Sequence, residues 1–330
     1  MHEAIGHPPV VHIRQLAFMG FSEVLKNLGT ILQNLSRCKR DLAAFGPHVL
    51  ILIDYPGFNL RMAAHAKSLG LKVAYYISPQ VWAWKAKRAY AIKRHVDRML
   101  CILPFEVSFY QNYGFAAQFV GHPLLDAIPP QKPLAERYLH GPIALLPGSR
   151  KQEVQRMLPL MIEVAKSRPQ EQFMVAAAPG LDLQYYLNWK LPANVALWKN
   201  GAYALLSQAK AALVTSGTAT LETALHHTPM AVCYKGNPLS VAIARRLIQV
   251  KYISLVNLIA DRPLVRELIQ SGCSPASCAS ELDQLMDSGY RETQLNGFKE
   301  VRQILGQGGA SLRAAAAIHA LASSTGGKGR

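Results

Sequence analysis

Two small-residue loops carry the most legible chemistry in this sequence: Leu145-Leu-Pro-Gly-Ser-Arg150 and Thr215-Ser-Gly-Thr-Ala-Thr-Leu-Glu222. Each lies between an apolar run and an amphipathic stretch, so each offers backbone N–H groups and a helix N-terminus to an anion. Ser216, Gly217 and Thr218 offer donors to phosphate oxygens, and Glu222, one helical turn further in, is placed to hold a ribose diol. Arg150 stands at the mouth of a helix, where the helix dipole disfavours positive charge. An anionic ligand such as a departing diphosphate accounts for that placement. Taken singly, Ser216 or Thr218 reads as an N-cap and Arg150 as a surface arginine. Together with Glu222 they read as a nucleotide-diphosphate site that is not built on one glycine fingerprint.

A second group of candidates lies in the first half. The run Val49–Ile53 delivers Asp54 to the carboxyl edge of a strand, and Pro56-Gly57 forces a turn after it. There Asp54 is a candidate general base; alone, it reads equally as a helix cap. Asn59 closes the same segment. Trp82 and Trp84, in Tyr76-Ile-Ser-Pro-Gln-Val-Trp-Ala-Trp84, suit stacking on sugar rings or contact with acyl chains, and interdomain packing is an equal alternative. His122, in Gly121-His-Pro123, is a candidate orienting group. Asn257, Glu267 and Gln270 surround an expected loop–helix junction and by themselves read as polar surface. No Asp-x-Asp motif appears, so the reading requires no metal and no cofactor. Of the five cysteines, only Cys273 and Cys278 are close in sequence, and their spacing completes no zinc arrangement. Buried, inert thiols in a reducing cytosol are expected.

These residues need a scaffold, and the patterning supplies one. Short apolar runs alternate with amphipathic stretches, as in parallel sheets covered by helices. Strands are expected at 48–53, 72–76, 98–102 and 118–120, then at 142–146, 172–177, 195–198, 211–215 and 230–234, with further helix over 263–322. A proline-rich segment, Ile128-Pro-Pro-Gln-Lys-Pro133, divides the chain into a first domain, 1–133, and a nucleotide-binding domain, 134–330, with the last helices free to pack back on the first. The expected class is α/β, two doubly wound Rossmann-like domains with a cleft between them. The chain of 330 residues carries 36 Lys+Arg against 20 Asp+Glu, a net +16 that implies an anionic partner. The basic residues form no tract with interleaved aromatics, which favours an acidic membrane surface over nucleic acid. A helix expected over 21–35 would align Phe21, Val24, Leu25, Leu28, Ile31, Leu32 and Leu35. The pattern alone favours core; the adjoining Arg37–Arg40 cluster also fits a helix dipping into a membrane.

The chain resembles the lipid-A-disaccharide synthase family of GT-B glycosyltransferases. The ordered segments carrying the resemblance are Met19–Leu25, Ile53–Asn59, Ser78–Trp84, Leu103–Glu106, Phe119–His122, Leu146–Arg150 and Ser216–Glu222. It implies condensation of UDP-2,3-diacylglucosamine with 2,3-diacylglucosamine 1-phosphate, at the cytoplasmic face of the inner membrane. It implies Asp54 as the catalytic base and Arg150, Ser216, Gly217, Thr218 and Glu222 as UDP ligands, with Asn257, Glu267 and Gln270 as the far wall. It also assigns Phe21–Leu32 to membrane association, against the pattern-only preference for core. Some members carry an acid where Gly57 stands. The family's opening strand and glycine-rich turn have no counterpart here, so the first domain is expected to be incomplete and the natural protein longer. A homo-oligomer is left open. Rival readings are a UDP-N-acetylglucosamine 2-epimerase-like enzyme and a non-catalytic nucleotide-sugar binder.

Overall fold

The computed structural model describes residues 27–130, 136–238 and 250–324, together with 11, 241 and 246. Phe21, Val24 and Leu25 lie outside the described residues. Two parallel sheets organise the chain. The first runs β1 (Val49–Ile53), β2 (Lys72–Tyr76), β3 (Arg98–Cys101) and β4 (Ala117–Phe119) in sequential order. The second holds β5 (Ile143–Leu146), β6 (Phe173–Ala176), β7 (Val195–Trp198), β8 (Ala211–Thr215), β9 (Met230–Tyr234) and β10 (Glu267–Ile269), in the order β10-β9-β8-β5-β6-β7.

The central strands β5 and β8 are buried at every residue, as expected of parallel strands covered by helices on both faces. They are also neighbours, in register from Ile143↔Ala211 to Leu146↔Val214. From β5 the chain continues towards β6, and from β8 towards β9, on opposite sides of this pair. The loops after β5 and β8 therefore open a crevice at the carboxyl edge, where open α/β sheets bind ligands. In the first sheet, β1 and β4 are the edge strands among the described residues, and β1 leaves Ile51 and Ile53 exposed.

The helices depart from the sequence expectation in three places. The described part of the helix expected over 21–35 belongs to the helix Leu28–Phe45, which runs ten residues past the expected end. Its Leu35 and Leu42 enter the first domain's core, whereas Leu28 and Leu32 are exposed and Ile31 is half-buried. Val81–Trp84 forms a short helix that the pattern did not announce, ahead of the helix Arg88–His95. The region from 263, expected to be helical, opens with β10. This strand, Glu267-Leu-Ile269, opens on a carboxylate and lacks the continuous apolar run that marked the others.

The two halves share packing. Leu103, Leu125 and Ile128 belong to one buried cluster with Ala144, Leu146, Val214, Phe298 and Leu305 of the second half. After the Ser288–Leu305 helix the chain turns through Gly306 (φ +83°) and Gly309 (φ +89°) and returns as the helix Ala310–Ser323. That helix sets Ala314, Ala317 and Ile318 against Leu100, Val120 and Tyr76 of the first sheet. The Asp126 carboxylate accepts the N–H groups of Ala310 and Ser311 at 3.2 and 3.1 Å, capping a helix from the far end of the chain.

Candidate functional site

The loop leaving β5 is shaped by Glu153. Gly148 has φ +116°, and a Cβ there would lie 2.5 Å from the Glu153 Cβ. The Glu153 side chain folds back over the first turn of the helix Lys151–Lys166. Its Oε2 accepts the N–H groups of Ser149 at 2.9 Å and Arg150 at 3.3 Å, and its Oε1 pairs with Arg150 Nη1. The helix mouth and its arginine thus already hold a carboxylate, the arrangement an anionic ligand would seek.

The loop leaving β8 is anchored from behind. Ser216 donates its N–H to the Cys233 carbonyl at 3.1 Å and its hydroxyl to the Ile253 carbonyl at 2.8 Å. Both Ser216 donors are engaged within the fold, and the Thr220 N–H is held by the Gly217 carbonyl at 3.1 Å, so the backbone donors the helix Thr218–Leu225 brings to the cavity are those of Thr218 and Ala219. Glu222, one turn in, accepts the Tyr203 hydroxyl at 3.3 Å. Burial raises its carboxyl above the usual range, opposed by that hydrogen bond. Tyr203 is itself pushed up to about 12, by burial and then by the Glu222 charge.

These groups line one cavity of about 720 Å³, together with Ala176–Pro179 after β6 and Asn200–Tyr203 after β7. Arg150, Ser216, Gly217, Thr218 and Glu222 are all in its wall. Glu153, Asn200 and Tyr203 were not singled out from sequence; each follows a strand's carboxyl end, and Asn200-Gly201 was the one readable signal.

Asn257, Glu267 and Gln270 are not in that wall. They brace it from β10 and from the loop–helix junction at the start of Leu255–Ala260. Glu267 accepts the N–H groups of Ile253 and Ser254, the Ser254 hydroxyl and the Asn257 amide at 2.7–3.2 Å. Asn257, buried, exchanges two further bonds with the Val265 backbone. Gln270 accepts the Gly236 N–H at 2.7 Å. The Glu267 bracket thus fixes Ile253, whose carbonyl holds Ser216.

In the first sheet, Asp54 is exposed at the end of β1, on a main chain that is firmly held. Asp54 and Tyr55 both have φ +46°, a pair of left-handed non-glycine residues costing on the order of 1–3 kcal/mol each. Three bonds fix the turn. Tyr75 donates its hydroxyl to the Asp54 carbonyl at 2.6 Å, Asn59 donates its amide to the same carbonyl at 2.7 Å, and the Asp54 N–H meets the Tyr76 carbonyl at 3.1 Å. Asn59 therefore positions the Asp54 turn.

The remaining cleft candidates separate. Trp82 donates its indole N–H to Glu106 at 3.1 Å, stacks edge-on against Phe105, and packs on the cluster shared by the two halves. Trp84 is exposed, with Lys85 Nζ 4.0 Å from its ring centre. Glu106 ties two of the sequence segments into one unit, because it also accepts the N–H groups of Ile102 and Leu103. Burial pushes its carboxyl up to about 7 against these donors. His122 is buried and accepts the Leu124 N–H at 3.2 Å; burial lowers it to about 4, so at neutral pH it is an uncharged cap on the next short helix.

Residues 1–320 match the family described as Lipid-A-disaccharide synthetase. The chain belongs to that family. Curated relatives named lipid-A-disaccharide synthase include those of Anaeromyxobacter dehalogenans, 43% identical over 91% of this chain and 82% of the relative, and Myxococcus xanthus, 40% identical over 92% and 83%. The Coxiella burnetii relative is 35% identical over 97% and 88%. As a family member the chain is a glycosyltransferase of lipid A biosynthesis, acting on nucleotide-sugar and lipid-linked sugar substrates. Among solved structures it is similar to a putative UDP-N-acetylglucosamine 2-epimerase from Listeria monocytogenes (TM-score 0.58, 11% identity, all of this chain and 85% of that one). It is also similar to the calicheamicin glycosyltransferase CalG4 (TM-score 0.57, 17% identity, 98% and 85%). At these identities the likeness is of fold alone, the two-domain Rossmann-like GT-B arrangement.

Proposed function

We propose that this synthase transfers the 2,3-diacylglucosaminyl group of its UDP donor to the 6-hydroxyl of 2,3-diacylglucosamine 1-phosphate, with inversion and release of UDP. In this reading the division between domains falls near residue 133. The cavity at the β5–β8 switch holds UDP, with Glu222 on the ribose. Arg150 and the first-turn N–H groups of Thr218–Leu225 stabilise the charge that develops on the departing diphosphate. Ser216 keeps that loop in place through its bonds to Cys233 and Ile253.

Asp54 takes the proton from the acceptor hydroxyl as that oxygen attacks the anomeric carbon from the face opposite UDP. The observation that carries this role is the strained, triply bonded turn at Asp54, which presents an exposed carboxylate at the strand edge of the other domain. Backbone strain retained at such a point fits preorganisation of the side chain. Both substrates are acylated, so the enzyme works at the inner-membrane surface, held by the exposed leucines of the helix Leu28–Phe45 and by its basic surface.

The test is Asp54→Asn. Disaccharide formation from radiolabelled donor should fall by about 10²–10⁴-fold, while UDP affinity by calorimetry stays unchanged. Substantial residual turnover rejects Asp54 as the base. No product from the unaltered chain, with UDP-sugar still bound, leaves only a nucleotide-sugar binder.

A further inference from the structure

Outside the nucleotide cavity, the described residues bring together three thiols that sequence spacing kept apart. Cys233 lies in β9, Cys273 follows the short turn Gln270–Gly272, and Cys278 sits in the first turn of the helix Pro275–Met286. All three are fully buried, and their Sγ atoms lie within 4.8 Å of one another. Cys233 Sγ and Cys278 Sγ are 3.7 Å apart. A tetrahedral site with metal–sulfur bonds of about 2.3 Å has a sulfur–sulfur edge of about 3.8 Å. That edge is therefore already at ligating length.

We propose that Cys233, Cys273 and Cys278 form a binding site for one thiophilic d¹⁰ cation, Zn(II) or Cu(I). A lone buried cysteine commonly serves as a small apolar filler. Here three separate elements aim sulfur at one point, with soft thiolates the preferred ligands of these ions. Three sulfurs satisfy a three-coordinate Cu(I), and leave a fourth position on Zn(II) for water.

The site would act as a brace, without contact to substrate. The Cys233 carbonyl accepts the Ser216 N–H, and Cys233 is in register with Thr215, which lines the cavity. The Cys273 N–H is held by the carbonyl of Gln270, whose side chain fixes Gly236. A bound cation would join β9, the β10 exit and the following helix directly behind the diphosphate loop.

The experiment titrates the full-length reduced protein anaerobically with Zn(II) and, separately, with Cu(I), each against a competing chromophoric chelator. About one equivalent should bind in at least one arm, with a rise in melting temperature. Cys273→Ser and Cys278→Ser should each weaken that binding at least ~100-fold, whereas Cys38→Ser, half-buried and far from the cluster in sequence, should not. Unchanged UDP binding by Cys273→Ser shows that the variant is folded. Should it not fold, Cd(II) titration of the unaltered protein replaces it, with thiolate-to-metal charge-transfer absorbance saturating at about one equivalent supporting the site. Failure of both Zn(II) and Cu(I) to bind, binding that survives removal of all three thiols, or a Cys233–Cys278 disulfide in protein purified under reducing conditions overturns the proposal.

Discussion

Glu153 pairs with the Arg150 guanidinium three residues earlier, while the same carboxylate accepts the Arg150 backbone N–H. A diphosphate entering the cavity must compete with this carboxylate for the arginine. The pair is partly exposed, so its own strength is modest, about 0–1 kcal/mol. Glu153→Gln keeps an acceptor for the loop N–H groups and removes the competing charge. It should tighten UDP binding by up to about fivefold, whereas Arg150→Ala should weaken it about 10- to 100-fold. Calorimetry on both variants decides; weaker binding by Glu153→Gln would reject the competition.

Glu222 and Tyr203 together give the cavity a test of ribose recognition. If Glu222 grips the diol, the unaltered enzyme should prefer UDP to 2′-deoxy-UDP by about tenfold, the worth of one hydrogen bond to a charged group. Glu222→Ala should bind UDP more weakly and lose that preference, because nothing is left to read the missing hydroxyl. An undiminished preference in the variant would place the diol elsewhere.

Glu106 predicts a pH dependence of stability. Its folded-state value, about 7, lies above the ordinary 4.5. The protonated carboxyl is therefore the form the fold favours. Its contribution is fully present below pH 4.5 and is lost as pH rises through about 7. The loss can reach on the order of 3 kcal/mol. Chemical unfolding between pH 4.5 and 8 should show a decline that Glu106→Gln lacks. Parallel curves for the two proteins would mean that this carboxyl is ionised throughout.

Gly121 governs the return of the C-terminal helix. It has φ +89°, and a Cβ would lie 2.5 Å from Arg313 Nη2. Arg313 in turn holds the carbonyls of Val120, Gly308 and Gln307 at 2.8–3.0 Å, fastening the helix Ala310–Ser323 to the first sheet. Gly121→Ala should destabilise by about 1–3 kcal/mol, and hydrogen exchange should accelerate first in Ala310–Ser323. Uniform acceleration across the whole chain would show that the helix does not detach separately.

Nine of the ten described strands were legible as short runs between turn residues, most plainly β5 and β8, which are buried on both faces and therefore apolar throughout. The two nucleotide loops were legible for the same reason: each follows such a run. Glu153 and Glu267 were harder to place, since a carboxylate that folds back onto backbone N–H groups looks in sequence like one that faces water. The Cys233–Cys273–Cys278 group was invisible because its members meet through the β9–β10 pairing, and Glu267-Leu-Ile269 carries no apolar run that announces a strand. Ser216 shows the opposite case. Its loop was located correctly, but the direction of its donors, towards Cys233 and Ile253, depends on strands the motif does not contain.

Leu28 and Leu32 are 42% and 49% exposed on one helix, with Phe45 82% exposed at its end. Arg37, Lys39 and Arg40 lie on the same helix, and among the described residues no helix is long and apolar enough to cross a membrane. Surface attachment through this helix would combine modest apolar insertion with attraction to anionic lipid, neither sufficient alone. Inserting each partly exposed leucine contributes about 1 kcal/mol, so Leu28→Glu with Leu32→Glu should lower partitioning onto anionic vesicles by at least ~30-fold. Raising salt should weaken the unaltered protein's binding through the basic residues. UDP affinity should be unaffected, because the helix contributes no residue to the cavity wall. If the double variant sediments with vesicles as the unaltered chain does, this helix is not the anchor, and the basic surface elsewhere must carry the attachment.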